Sequence, residues 1–273
     1  AWTRQFGTTA ADQAAAVAVD DAGNVIVVGH TLGAFGGGTS RGGWDGFLRK
    51  FRADGRHVWT RQFGTVADEF VSDVAVNSMR QVVTIGQTFS TLGGPYRGDG
   101  DAFVRALRPN GNHYWTRQFG TSQEDWAFGV AVADNDRFYV VGDTWGALPG
   151  QTSSGETDGY IRKLRPDGSA AWTRQFGGPS YDSAEDVTVD RFGKVYVAGR
   201  MYVVSFDALL MKVRADGTRA WVRKAGARTA RDEGRGIAVD RLKHVYLVGM
   251  SDGAFGGQAW SGGRDAWVRK YKP

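Results

Sequence analysis

Five acidic side chains recur at matched places along this 273-residue chain: Asp12, Glu69, Asp125, Asp182 and Asp232. Each stands a few residues ahead of a short aliphatic segment, so a fold that repeats its unit about an axis would set them around the mouth of a central channel. Five unscreened carboxylates would repel, each neighbouring pair by about 2 kcal/mol at about 8 Å and an effective dielectric near 20. A bound cation would neutralise them, and an oxygen-only set suits calcium or magnesium. Calcium is thus the one cofactor this reading names. A structural alternative is just as regular, because Arg4, Arg61, Arg117, Arg174 and Arg223 recur with the acids, as do Asp45, Asp101, Asp158, Asp207 and Asp265. Such columns suit stitching between neighbouring repeats, or aspartates capping loop amides. Chemistry rarely needs five equivalent carboxylates, so the structural reading leads.

A second set is irregular. The residue after a repeated glycine is His30, Gln87, Asp143, Arg200 and Met250 in turn, different in every copy. A single asymmetric pocket requires such divergence, and a tolerant surface position shows it too. Aromatic side chains form a third set: Trp44, Tyr96, Trp145 and Trp260 lie in glycine-rich loops, with Trp126 and Tyr181 in the connections between repeats. Rings mixed with Asp, Arg, Gln and Gly suit sugar binding, where a ring stacks on an apolar sugar face and polar groups bond its hydroxyls. Packing between repeats is the alternative, and Phe35, Leu92, Leu148 and Phe255 read as such plugs.

Several chemistries lack their residues. The chain has no cysteine, which excludes disulfides, thiolate metal sites and cysteine nucleophiles. The four histidines have no ligand or triad spacing, and only His30 is placed for a site. No phosphate loop, zinc-protease or serine-hydrolase motif occurs in a credible setting. Net charge is +5, but the arginines are spread one or two per repeat among acids, so no nucleic-acid partner is expected. No run of 18 apolar residues occurs, so no membrane insertion is expected, and no signal peptide is read in this numbering.

The elements that position these residues come from one repeat. Trp2–Thr8 reads WTRQFGT, and the heptapeptide returns at 59–65 and 115–121, with WTRQFGG at 172–178 and WVRKAG at 221–226. The tryptophans are 57, 56, 57 and 49 residues apart, the period of a propeller blade. Within each unit an AVAVD-like segment, a NVIVVGHT-like segment and a DGFLRKF-like segment precede the tryptophan strand, joined by turns such as DDAGN and RADG. The glycine of the second segment, at 29, 86, 142, 199 and 249, suggests a bulge or a close backbone approach. The fold class is all-β: a five-bladed β-propeller of four antiparallel strands per blade. One domain over 1–273 is expected, with blades at approximately 12–64, 69–120, 125–177, 182–226 and 232–273, the last completed by residues 1–7 as a closing strand.

The pattern FGT....D.a..vavD..GNvyvvG.T followed by DaFv.K....G...W resembles the bacterial SBBP-type β-propeller repeat over essentially the whole chain. The family name implies seven blades where this sequence counts five. The resemblance implies an exported or surface protein, extracellular or periplasmic. Together these readings favour a non-catalytic module binding a glycan, or else a protein, on its loop face, with Trp44, Tyr96, Trp126, Trp145, Trp260, His30, Asp143 and Arg200 as candidate contacts. Two alternatives stay open: a sugar-acting hydrolase or lyase using the acidic column, and a scaffold or filament subunit. Monomer and homo-oligomer are not separated.

Overall fold

In the computed structural model, which describes residues 1–37, 39–226 and 230–272, the chain is all-β. Gly38 of the first long loop and Pro273 of the expected fifth blade lie outside the described residues. Among the described residues nineteen strands form five antiparallel sheets, and four of these have four strands in simple meander order. The first is β1 (Asp12–Val19), β2 (Val25–Thr31), β3 (Asp45–Phe51) and β4 (His57–Phe63). The second is β5 (Glu69–Val76), β6 (Val82–Thr88), β7 (Asp101–Leu107) and β8 (His113–Phe119). The third comprises β9 (Asp125–Val132), β10 (Phe138–Thr144), β11 (Asp158–Leu164) and β12 (Ala170–Phe176). The fourth comprises β13 (Asp182–Val189), β14 (Val195–Tyr202), β15 (Phe206–Val213) and β16 (Arg219–Ala225). Each unit of the sequence is therefore one blade-like sheet.

The fifth sheet departs from the expectation. It holds three strands, β17 (Asp232–Val239), β18 (Val245–Ser251) and β19 (Asp265–Tyr271), and residues 1–7 form no ladder. The expected closing strand instead docks by its side chains on the first sheet. The Trp2 indole donates to the Ala53 carbonyl at 2.9 Å, Arg4 Nε donates to the Gly55 carbonyl at 2.9 Å, and the Phe6 ring meets Phe47 edge-on at 6.1 Å.

Contacts divide the chain into two compact units, Ala1–Ala127 with Pro166–Gly168, and Phe128–Arg165 with Ser169–Pro273. The first has a core of Ile26, Val28, Leu48, Phe63, Val82, Phe103 and neighbours. The second has two clusters, one around Tyr139, Ile161, Val197 and Leu209, the other around Tyr196, Leu210, Val245 and Leu247. Alternation along the strands puts these residues on buried faces.

The glycine of the second strand is explained by close approach. A Cβ on Gly29, Gly86, Gly199 or Gly249 would lie within about 2 Å of the facing backbone carbonyl oxygen of Gln13, Phe70, Ser183 or Glu233. In each of these pairs the facing strand also carries a bulge, as between Ala14 and Ala16 or Val71 and Asp73.

Candidate functional site

The tryptophan motif is a clamp. Trp59, Arg61 and Phe63 alternate onto one side of β4, and the Trp59 and Arg61 side chains close on the hairpin turn of the next repeat. Trp59 Nε1 donates to the Pro109 carbonyl at 3.3 Å, and Arg61 Nε to the Gly111 carbonyl at 2.9 Å. Trp115 and Arg117 hold the turn at Pro166 and Asp167 in the same way, and Trp172 and Arg174 that at Ala215 and Asp216. The turn glycine, at φ near +80° in Gly55, Gly111 and Gly168, packs against the indole, where a Cβ would come within 3.0 Å. Each arginine also lies over its own tryptophan ring, 5.7 Å away for Arg61. Arg4, Arg61, Arg117 and Arg174 therefore do stitch, but their partners are turn carbonyls and not the acidic column.

The acids close loops. Glu69 accepts from Thr65 N at 2.7 Å, Thr65 Oγ1 at 2.7 Å and Thr88 Oγ1 at 2.8 Å. Asp12 accepts from Thr8 N and Thr31 Oγ1, Asp125 from Thr121 N, and Asp182 from Gly178 N and Tyr202 N. Burial pushes the Glu69 carboxyl above its ordinary range against these hydrogen bonds, and Asp45 adds to the rise. Asp182 is raised by burial likewise, with Asp158 adding. The third-strand aspartates are the near neighbours because both carboxylates press on the glycine that follows Phe63 and its equivalents. A Cβ on Gly64 would lie 1.9 Å from Asp45 Oδ1 and 2.7 Å from Glu69 Oε2. Asp12, Glu69, Asp125 and Asp182 each close their own loop, and among the described residues no group of three or more His, Asp or Glu side chains gathers as a metal site.

The irregular positions separate into distinct environments. In the first unit His30 is half-buried, edge-on to Trp44 at 5.0 Å and to Phe70 at 5.3 Å, and burial lowers its pKa. Trp44 and His30 thus form one packed aromatic nest with Phe70. Gln87 Nε2 reaches the Asp125 carbonyl at 3.3 Å, and the half-buried Trp126 donates its indole N–H to Glu124 at 2.9 Å. Tyr96 stays exposed in its loop. Phe35 and Leu148 are buried plugs, as expected.

In the second unit Asp143 is buried near the end of β10, and two residues on Trp145 emerges, 38% exposed. Its ring meets Tyr181, 39% exposed, edge-on at 5.8 Å and 77°. The Tyr181 hydroxyl bonds the exposed Glu156 carboxylate, which raises the phenol's pKa. Trp260 is 49% exposed, with its indole N–H on the Gly263 carbonyl at 3.3 Å. Arg200 belongs to an ionic cluster with residues that sequence reasoning missed. Glu233, its side chain fully buried, accepts from Arg200 at 3.2 Å and from Arg231 at 2.5 Å and forms an ion pair with Arg235 at 2.5 Å, while Glu185 lies 3.7 Å from Arg200 and 3.6 Å from Arg235. Burial pushes the Glu233 carboxyl up, but the Arg231 hydrogen bond and the arginine charges hold it below its usual value. The fifth repeat's departure from its neighbour, RDEGR at 231–235 where the fourth reads YDSAE at 181–185, was the available signal.

Comparison with known proteins bears on the fold. The chain is 34% identical over 97 residues to the regulatory protein FlaEY of Caulobacter vibrioides, a match covering 33% of this chain and 10% of that protein's length. The WD40 domain of Neurospora crassa Pan2 matches with a TM-score of 0.56 at 11% identity, covering 95% of this chain and 62% of that one. A protein of unknown function from Dyadobacter fermentans matches with a TM-score of 0.55 at 13% identity, covering 90% and 77%. At these identities the two structures speak for the fold alone. The family model for the SBBP beta-propeller repeat matches residues 1–36, 171–200 and 220–256. In its five meander sheets the chain is similar to β-propeller proteins, and the three matched stretches are similar to the SBBP beta-propeller repeat.

Proposed function

We propose that this protein is a non-catalytic recognition module at the cell surface that binds a carbohydrate on its loops, with Trp145 and Tyr181 as the platform. The observation that carries the reading is the exposed pair itself: two rings edge-on at 5.8 Å, each more than a third exposed, beside the Glu156 carboxylate. Large rings are left open to water where something else covers them, and a sugar offers both an apolar face for the indole and hydroxyls for the acid. Trp44, Trp126 and His30 are packed and contribute shape, while Tyr96 and Trp260 are exposed elsewhere on the loops. The hydrolase or lyase alternative would need free carboxylates, whereas those of Asp12, Glu69, Asp125 and Asp182 are occupied by loop amides.

A glycan array followed by titration of the best hit tests the reading. Trp145→Ala and Tyr181→Ala are expected to weaken binding at least tenfold, roughly the worth of one stacked ring, with unchanged thermal unfolding. Absence of any glycan signal, or binding indifferent to both substitutions, overturns it.

A further inference from the structure

Within the first compact unit, the long loop of the first sheet meets that of the second over the end of β4. Between them is a cavity of about 270 Å³ whose wall includes Arg41, Gln62, Phe63, Thr65, Thr91 and Arg105, and none of its lining residues is acidic. Close packing fixes both loops there. A Cβ on Gly42 would lie 2.7 Å from the Thr65 carbonyl oxygen, and one on Gly93 would lie 2.4 Å from the Thr116 methyl.

The fold does not consume the two arginine charges. The backbone amide of Arg41 donates to Asp45 Oδ2 at 3.0 Å, and the amides of Arg97, Ser154 and Ser261 close on Asp101, Asp158 and Asp265 in the same way. These loops therefore need the amide at this place and accept either arginine or serine as its side chain. Arg41 is exposed, and among the described residues no carboxylate pairs with its guanidinium.

Arg105 rises from β7 with its guanidinium 4.6 Å over the Phe63 ring, and Nη1 donates to Thr116 Oγ1 at 2.9 Å. It too has no carboxylate partner among the described residues. The packing does not require a charge, because the fourth sheet has Met211 at this position, in one cluster with Phe176. Burial pushes the Arg105 pKa down to about 10, and the charge of Arg41 adds to the fall. The nearest acids are already engaged: Asp45 accepts from the Gln62 amide at 2.8 Å, and Glu69 from the Thr65 amide and hydroxyl. Two like charges thus share one confined opening, a repulsion that an anion relieves.

We propose that this cavity binds a tetrahedral oxyanion, a sulfate or phosphate group, held between the guanidiniums of Arg41 and Arg105. Guanidinium forks suit such oxygens, since each can donate paired, charge-assisted hydrogen bonds. The exposed Thr91 hydroxyl supplies a further donor from the second loop. Donors from two loops and the strand beneath them converge from three directions, which fits a tetrahedral group better than a planar carboxylate. The cavity is smaller than the sites of drug-sized ligands, about 300–1,000 Å³, so it takes the charged group and little else. Trp145 and Tyr181 belong to the other compact unit, and this site does not depend on the carbohydrate platform.

Isothermal titration with sodium sulfate, sodium phosphate, glucose 6-sulfate and glucose 6-phosphate, at constant ionic strength, tests this on the wild type, Arg41→Ser, Arg105→Met and Arg97→Ser. Each substitution borrows a side chain that a sister repeat already carries, so thermal unfolding is expected to change little. At least one probe is expected to bind the wild type, and Arg41→Ser and Arg105→Met are each expected to weaken it at least tenfold. Arg97→Ser, the same change in the second loop, is expected to leave binding unaltered. Either ranking of free ion and ester supports the site, and tighter binding of an ester identifies a charged group on a larger ligand as its source. Failure of all four probes to bind overturns the proposal, as does binding that Arg41→Ser or Arg105→Met leaves unchanged or that Arg97→Ser weakens equally.

Discussion

The first and fifth sheets carry nearly the same loop, yet one is filled and the other open. In the first, Gln62 ties Gly33, Phe35 and Asp45 together, and β3 is covered on its outer edge by β4. In the fifth the loop keeps the same backbone turn at Gly256, but among the described residues β19 pairs with β18 alone and a cavity stands in the glutamine's place. The loop's shape therefore comes from its own glycine and hydrophobic plug, and the glutamine locks a turn that already exists. Preformed loops on a rigid sheet are what a binding surface requires, because little ordering entropy remains to be lost when a ligand arrives.

The comparison breaks most severely at what the filled sheets share. Gly64→Ala would drive a methyl into Asp45 and Glu69, and we expect a loss of about 3 kcal/mol or more in chemical denaturation. Gly256→Ala meets no atom within 4 Å and carries only the left-handed backbone penalty, about 1 kcal/mol. Next in size is the lock. Gln62→Ala removes three hydrogen bonds and strands the Phe35 amide, an expected cost of about 2 kcal/mol.

A smaller effect sharpens the electrostatics of the filled sheet. Glu69 is raised by burial and by Asp45, so its ionised form opposes folding. Asp45→Asn should lower the Glu69 value toward its ordinary range and stabilise the protein at pH 7 by removing that repulsion. That gain should shrink as pH falls through the raised Glu69 value and the carboxyl takes up its proton. Urea unfolding at a series of pH values checks both magnitude and sign. Smallest of all is the stability effect of Trp145→Ala, within about 0.5 kcal/mol, since its ring is more than a third exposed; its binding effect is the large one.

Much of this was legible from the repeat. The tryptophan spacing located all five sheets, and the starts of the first strands at Asp12, Glu69, Asp125, Asp182 and Asp232 coincide with the acidic column. The repeated second-strand glycine announced a close approach, which the bulges and facing carbonyls supply. The partners of Arg61 and its equivalents were hidden because they are backbone carbonyls, which leave no mark in side-chain identity. The match of acid and arginine columns suggested a meeting that strand alternation prevents: the arginines point onto the next hairpin, and the acids close their own loops. Residues 1–7 read as a ladder strand because their composition is that of β4, but composition does not say which edge a strand finds. Arg231, Arg235, Glu185 and Glu233 escaped notice because they lie where the repeat degenerates, the part of the chain where periodic reading is weakest. For the aromatic set, exposure decided what spacing could not, separating Trp145 and Tyr181 from the packed Trp44 and Trp126.

Hydrogen–deuterium exchange on the dilute protein tests the contrast between filled and open sheets most directly. The account predicts that peptides covering Asp45–Phe51 stay protected, while those covering Asp265–Tyr271 lose about half of their amides quickly, since antiparallel pairing to one neighbour protects only alternate residues. Equal protection of the two strands would contradict it.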